Sequence, residues 1–210
     1  EKGLAYTDPY SKEEVDVFRK KSEEQKKAFL YRDYRPENPP KWDGTKPLRL
    51  KIKEVKRSIW NDLVRGELSA GPEALDDIII MKSDGIPTYN FAHIIDDLYM
   101  GVTHIMRADE FISSTPKHIM VYEAFGWEIP QFAHLPLFLG SDRSKLSKRH
   151  GARAASEFRK DGFLPEAILN YLALLSWTPP SGKEILSLEE IIKEFDLKDV
   201  HDTNAVFDFQ

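Results

Sequence analysis

The chain contains no cysteine, so it can form no disulfide framework, offers no thiolate nucleophile and cannot build a cysteine-bound zinc site. It has no apolar run near the roughly 20 residues that span a bilayer, and Glu1-Lys2-Gly3-Leu4 leads into charged sequence instead of the apolar stretch of a signal peptide. A cytoplasmic location with no membrane partner is the simplest expectation. Several catalytic signatures are also missing. No Gly-Lys-Ser or Gly-Lys-Thr closes a Walker loop, no GxGxxG marks a dinucleotide fold, and no GxSxG elbow presents a nucleophilic serine. The six histidines, His93, His104, His118, His134, His150 and His201, never take the HExxH spacing, and no metal site is expected. No internal repeat or low-complexity tract is present.

With 210 residues there is length for a core and for more than one unit. The net charge of -5 hides an asymmetry: Glu1 to Arg57 carries 16 Lys and Arg against 11 Asp and Glu, and the remainder 14 against 24. An anionic partner would go to the basic part. Lys20, Lys21, Lys26, Lys27, Arg32 and Arg35, then Arg49, Lys51, Lys53, Lys56 and Arg57, could neutralise nucleic-acid phosphates. Interleaved with Glu, the first group fits ordinary solubilising charge equally well.

Along the chain, Ser11 with Glu14 forms a capping box, and the pattern predicts a helix from Ser11 to Phe29. Leu48 to Lys53 alternates apolar and basic residues as a half-exposed strand would. Ile78 to Met81 reads as a strand, Lys82 to Gly85 as a turn, and Ile86 to Phe91 as the return of a hairpin, with a helix from Phe91 to Met100 closed by Gly101. Then comes strand, helix, strand: Val102 to Met106, Thr115 to Phe125, and Phe132 to Leu139. That order predicts an α/β fold with a parallel sheet and a crossover helix. Ala154 to Lys160, Pro165 to Leu175 and Ser187 to Phe195 have helical spacing. The expected domains are residues 1–76 (α+β), 77–151 (α/β) and 152–210 (helical).

What the chain does have is Lys145-Leu146-Ser147-Lys148-Arg149, just beyond Gly140-Ser141-Asp142-Arg143-Ser144. Two ammonium groups three positions apart beside a hydroxyl can close over a polyphosphate, because lysines supply mobile point charges for negative charge that develops during reaction. A solvated basic turn is the plainer reading. Two further clusters lie nearby: Pro87-Thr88-Tyr89-Asn90 with His93 and Asp96-Asp97, and Arg107-Ala108-Asp109-Glu110. Tyr89, Asn90 and the Arg107 fork suit a small acidic ligand; solvated helix charge at Asp96-Asp97 and an Arg107-Asp109 ion pair are the alternatives. Arg107 ends one expected parallel strand and the lysine loop follows the next, so both belong at the sheet edge where open α/β folds bind ligands.

These residues resemble a known family. Lys145-Leu146-Ser147-Lys148-Arg149 is similar to the KMSKS-type signature of class I aminoacyl-tRNA synthetases, in the form found in glutamyl-tRNA synthetases. Asn61-Asp62-Leu63-Val64-Arg65-Gly66, Ser83 to Tyr89, Asp96-Asp97, Gly101 to His104, Ser114-Thr115-Pro116, Lys148 to Gly151 and Leu164 to Leu172 follow in the family's order. The resemblance implies the second half of a Rossmann-type nucleotide fold, preceded by an α+β insertion that binds the tRNA acceptor stem and followed by the start of a helical stem-contact region. It implies ATP-dependent activation of L-glutamate, with Mg2+ accompanying the ATP, and transfer to tRNA(Glu), with tRNA(Gln) as a further acceptor. Tyr89, Asn90, His93 and Arg107 match glutamate-holding positions, Glu110 and Phe138 match the ATP ribose and adenine, and Lys145 and Lys148 match the catalytic lysines, Lys148 also binding ATP. In some relatives the insertion holds a cysteine-bound zinc, and here no protein-bound zinc is expected. The family's HIGH-type signature and anticodon-binding helices do not occur in these 210 residues, so the chain is expected to be an internal fragment, inactive alone. The alternatives to this reading are a glutaminyl-tRNA synthetase or a synthetase that glutamylates a modified tRNA base, which share much of this layout, and, from another class, a non-catalytic tRNA-binding paralogue.

Overall fold

A computed structural model describes residues 3–146 and 154–207. In chain order the elements are β1 (Ala5–Thr7), α1 (Lys12–Glu24), β2 (Leu48–Leu50), β3 (Ser58–Asp62), β4 (Gly66–Ala70), β5 (Ile79–Met81), α2 (Tyr89–Met100), β6 (His104–Ala108), α3 (Thr115–Phe125), β7 (Gln131–Leu135), β8 (Phe138–Leu139), α4 (Ala155–Lys160), α5 (Pro165–Ser176), α6 (Leu188–Glu194) and β9 (Ala205–Val206). They fall into two compact units. One gathers the described residues up to Trp60 with Leu68–Thr103 and Ile112–Pro130; the other gathers Asn61–Glu67, His104–Phe111 and the described residues from Gln131 onward.

In the first unit, β1, β2 and β5 form an antiparallel sheet in that order, with Ala5 opposite Leu50 and Arg49 opposite Ile79. Leu50, Ile52, Leu75 and Ile80 meet Ile94 of α2 and Met120, Val121 and Tyr122 of α3 in one apolar cluster. Each such side chain, taken out of water, contributes about 1.5 to 3 kcal/mol. Helix α1 begins as its capping box requires: the Ser11 N–H donates to Glu14 Oε2 at 2.7 Å, and the Glu14 N–H donates to Ser11 Oγ at 3.3 Å. It ends five residues sooner than the pattern predicts. Lys26 takes a left-handed φ of 55°, and the N–H groups of Lys26 and Lys27 turn back onto the carbonyls of Glu23 and Ser22. Good helix formers continue to Ala28, but a left-handed residue stops the helix regardless of propensity.

Two buried carboxylates tie this unit together. Asp77 accepts from the Tyr6 hydroxyl at 2.8 Å, from the Ile52 N–H at 3.0 Å, and from the two-pronged Arg35 fork at 2.5 and 2.6 Å. Asp8 accepts from Tyr31 Oη and from Arg49 Nε, the latter at 2.7 Å, while the Arg49 guanidinium lies 3.3 Å from the Tyr31 ring centre. Burial first, and then Asp77, pushes the Tyr6 phenol far above its usual range; burial and Asp8 do the same to Tyr31. The predicted hairpin after β5 is reduced to a single bridge between Met81 and Pro87, and α2 starts at Tyr89. Pro87 has no N–H with which to extend a ladder.

The strand order β4-β3-β7-β6 contains the expected parallel pairing. β6 runs parallel to β7 in full register, Arg107 opposite His134, with the crossover helix α3 between them in sequence, and β3 meets the other edge of β7 in parallel at Asp62 and Phe132. The predicted strand from Phe132 to Leu139 is split in two. Pro136 interrupts it, and β8 then pairs with β9 in a separate parallel ribbon, Phe138 opposite Ala205. The three predicted C-terminal helices are present as α4, α5 and α6; Trp177, Leu186 and Ile191 form the small core beside α5 and α6. Among the described residues no helix is long and apolar enough to cross a membrane.

Candidate active site

Arg107 lies one residue before the carboxyl end of β6, half-buried, and it is engaged by a residue that the pattern of the sequence did not single out. Its Nε–H donates to His134 Nε2 at 3.1 Å. Behind that ring, His134 Nδ1 is 2.5 Å from Asp62 Oδ2, and both side chains are fully buried. The other oxygen, Asp62 Oδ1, accepts from the backbone N–H groups of His134, Val64 and Arg65, each at 3.1 Å. An arginine can only donate, so His134 Nε2 must accept, and the proton sits on Nδ1 facing Asp62.

The electrostatics agree with that tautomer. Burial pushes the His134 imidazole below its ordinary value; Asp62 opposes the shift and the Arg107 and Arg65 guanidiniums add to it. Burial also acts against a charged Asp62, but the donors from the His134 ring and from the three backbone N–H groups outweigh it and hold the carboxyl below its usual range. A neutral imidazole therefore bridges an ionised carboxylate and a guanidinium. Arg65 closes the group, its Nε–H donating to the His134 carbonyl at 3.3 Å and its Nη2 to Asp109 at 3.0 Å. Asp109 thus pairs with Arg65, and the Arg107-Asp109 alternative is not what forms.

The described part of the lysine loop is a tight reversal. Gly140 N–H donates to the Ser144 carbonyl, Arg143 adopts φ 61°, and Asp142 accepts from both the N–H and the hydroxyl of Ser144. Lys145 returns antiparallel beside Leu139, and the Leu146 N–H donates to the Phe138 carbonyl at 2.9 Å. This brings Lys145 Nζ onto Glu110 as an exposed ion pair. Phe138, Glu110, Lys145 and Leu146 thus belong to one unit with Arg107. Ser147, Lys148 and Arg149 lie outside the described residues.

Tyr89, Asn90 and His93 sit in the first turns of α2, in the other unit. The His93 ring is 4.9 Å from that of Tyr89; its Nδ1 is 3.3 Å from Asp97 Oδ2 and its Nε2 is 3.3 Å from Nε2 of the buried His118. His118 Nε2 is also 3.0 Å from Asn90 Oδ1. One proton arrangement satisfies this set: His93 donates to Asp97, and the His118 Nε2–H is shared between Asn90 and His93. Asp97 is therefore an anchor for His93 more than a solvated helix charge, while Asp96 is exposed. Among the described residues no group of three or more His, Cys, Asp or Glu is placed to hold a metal ion.

Nothing in the sequence marks His134 as the partner of Arg107, and Asp62 stands only within the run Asn61 to Gly66. The available signal was a histidine inside the strand Phe132-Ala133-His134-Leu135, one position from a buried alanine. A core histidine and a positioning histidine look alike there.

The family described as tRNA synthetases class I (E and Q), catalytic domain, matches residues 1–210. Glutamate--tRNA ligase 1 of Caldanaerobacter subterraneus subsp. tengcongensis is 46% identical over 217 aligned residues, covering 100% of this chain and 45% of its own length. The glutamate--tRNA ligase of Aquifex aeolicus is 51% identical over 161 residues, 76% of this chain and 34% of its own. The crystal structure of a glutamate tRNA ligase from Elizabethkingia meningosepticum, in complex with its amino acid, superposes with a TM-score of 0.80 at 35% identity, over 98% of this chain and 47% of that one. The chain thus spans less than half the length of these relatives. It belongs to the class I tRNA synthetases of the E and Q group and carries the fold of their catalytic domain.

Proposed function

We propose that the chain is the glutamate- and ATP-handling part of a glutamate–tRNA ligase. The observation that carries this reading is Arg107, held at the carboxyl end of a parallel strand by a neutral acceptor and sharing a unit with Glu110, Phe138 and Lys145. A guanidinium fork matches both oxygens of a carboxylate, whereas an amide offers one acceptor and one donor. That favours glutamate over glutamine.

In the reaction, a carboxylate oxygen of glutamate attacks the α-phosphorus of MgATP, and the bond from that phosphorus to the pyrophosphate oxygen breaks. The glutamyl group then passes from the adenylate to the terminal ribose hydroxyl of tRNA(Glu), releasing AMP. Tyr89, Asn90, His93 and Arg107 hold the amino acid; Glu110 and Phe138 serve the ribose and adenine. Lys145 and Lys148 stabilise the charge that builds on the α-phosphate and on the departing pyrophosphate. For Lys145 this means exchanging its Glu110 partner for phosphate oxygens. By function, residues 1–76 bind the acceptor stem, 77–151 complete the nucleotide fold and 152–210 open the stem-contact region. The excess of Lys and Arg up to Arg57 supports the first assignment.

The test is ATP–pyrophosphate exchange, with tRNA and glutamate present, in the ligase carrying this chain. Lys148→Ala is expected to lower kcat by about 10² to 10³, the usual cost of losing one charge-stabilising donor. Turnover near wild type would remove Lys148 from the mechanism, and exchange that depends on another amino acid would overturn the substrate.

A further inference from the structure

We propose that Asp62 and His134 are positioning residues that set the orientation of Arg107 for the amino acid. This rests on the reading of Arg107 as a glutamate ligand, and it adds to that reading two residues that no part of it requires.

The arrangement is a row across three parallel strands. Asp62 ends β3, His134 stands next to last in β7, and Arg107 stands next to last in β6, opposite His134 in the strand register. Each link is fixed by the one behind it. Three backbone N–H groups hold Asp62 Oδ1, so the carboxylate cannot rotate; Oδ2 takes the ring proton at 2.5 Å; and the ring is thereby locked with its Nε2 lone pair facing Arg107 Nε at 3.1 Å. Neither Asp62 nor His134 is reachable by water that could replace a lost partner. A flexible arginine fixed before the ligand arrives loses less freedom on binding.

The choice of histidine has a chemical reason. A carboxylate against Arg107 Nε would orient the guanidinium equally well, but it would neutralise the charge that recognises the substrate. A neutral imidazole accepts the hydrogen bond without doing so. The negative charge of Asp62 stays one ring away and is occupied by backbone donors.

The experiment compares three substitutions in the ligase carrying this chain, reading glutamate KM, ATP KM and kcat by tRNA-supported exchange, with thermal melting of each variant. His134→Gln places an amide oxygen where Nε2 stood, keeping the acceptor for Arg107 and giving up the Asp62 link. His134→Asn places an amide nitrogen where Nδ1 stood, keeping the Asp62 link and giving up Arg107. Asp62→Asn presents an amide donor to Nδ1 and forces the other tautomer, which sets an N–H against Arg107; flipping the amide would oppose it to three backbone donors.

Glutamate KM is expected to rise about tenfold or more in His134→Asn and Asp62→Asn, the loss of one hydrogen bond to a charged group. ATP KM and kcat should stay within about threefold, and His134→Gln, which keeps the acceptor but loses the Asp62 lock, should raise glutamate KM less than His134→Asn does. The proposal is overturned if the two histidine variants shift glutamate KM equally, if the glutamine variant is the worse one, or if folded Asp62→Asn binds glutamate normally. Arg107→Ala separates the two layers: an unchanged glutamate KM in that variant defeats the pocket reading itself, whatever the histidine variants do.

Discussion

At the scale of single residues, the buried Asp62–His134 pair makes the fold sensitive to acid in a defined window. His134 binds its proton less readily folded than unfolded, so the unfolded chain gains protons first as pH falls below the ordinary histidine value of 6.5. Its contribution to stability is complete above that value and declines as pH drops toward the folded one. Asp62 behaves in the same direction but lower down, its contribution present above 3.8 and lost as pH falls through the folded value. Between these two ordinary values the histidine dominates. The melting temperature of the chain is accordingly expected to fall from pH 7 to pH 5 more steeply in the wild type than in His134→Gln; parallel slopes would mean that His134 is not held neutral by its surroundings. Arg107, Tyr89 and the lysine loop could be singled out from sequence because their residue types suggest a chemistry wherever they stand. Asp62 and His134 could not, because their meaning depends on which strand lies beside which.

At the scale of elements, Asp77 ties the first sheet to the segments that flank it. It joins Tyr6 of β1, Ile52 just after β2 and Arg35 of the long connection between α1 and β2. Removing the cation alone leaves a buried anion, so Arg35→Met is expected to cost about 3 kcal/mol, the low end for a broken buried pair because the guanidinium is 28% exposed. Adding Asp77→Leu should recover part of that loss, with the Tyr6 hydroxyl and the Ile52 N–H keeping the double variant below wild type. Urea denaturation midpoints measure both; an undiminished midpoint in Arg35→Met would show that the fork contributes nothing. Caps mark the N-terminus of α1 at Ser11 and the C-terminus of α2 at Gly101, and the expected range of α3 is the observed one. The errors came where one backbone angle or one missing N–H outweighed the pattern: Lys26 ending α1, Pro87 curtailing the hairpin, Pro136 splitting the last strand.

At the scale of the whole molecule, these 210 residues span less than half the length of the ligases they match. The isolated chain is expected to show no tRNA-supported ATP–pyrophosphate exchange; full activity from it alone would overturn that expectation. The row of Asp62, His134 and Arg107 also has a consequence in time. Asp62 and His134 are 72 residues apart in the chain, and Arg107 and His134 are 27 apart. At synthesis rates of about 5 to 20 residues per second, the aspartate leaves the ribosome's catalytic centre about 4 to 14 seconds before its histidine is made. Until β7 is made, the sheet lacks the strand that stands between β3 and β6, and Arg107 lacks its His134 acceptor. A chain stalled before residue 134 therefore carries Arg107 without the acceptor for its Nε–H.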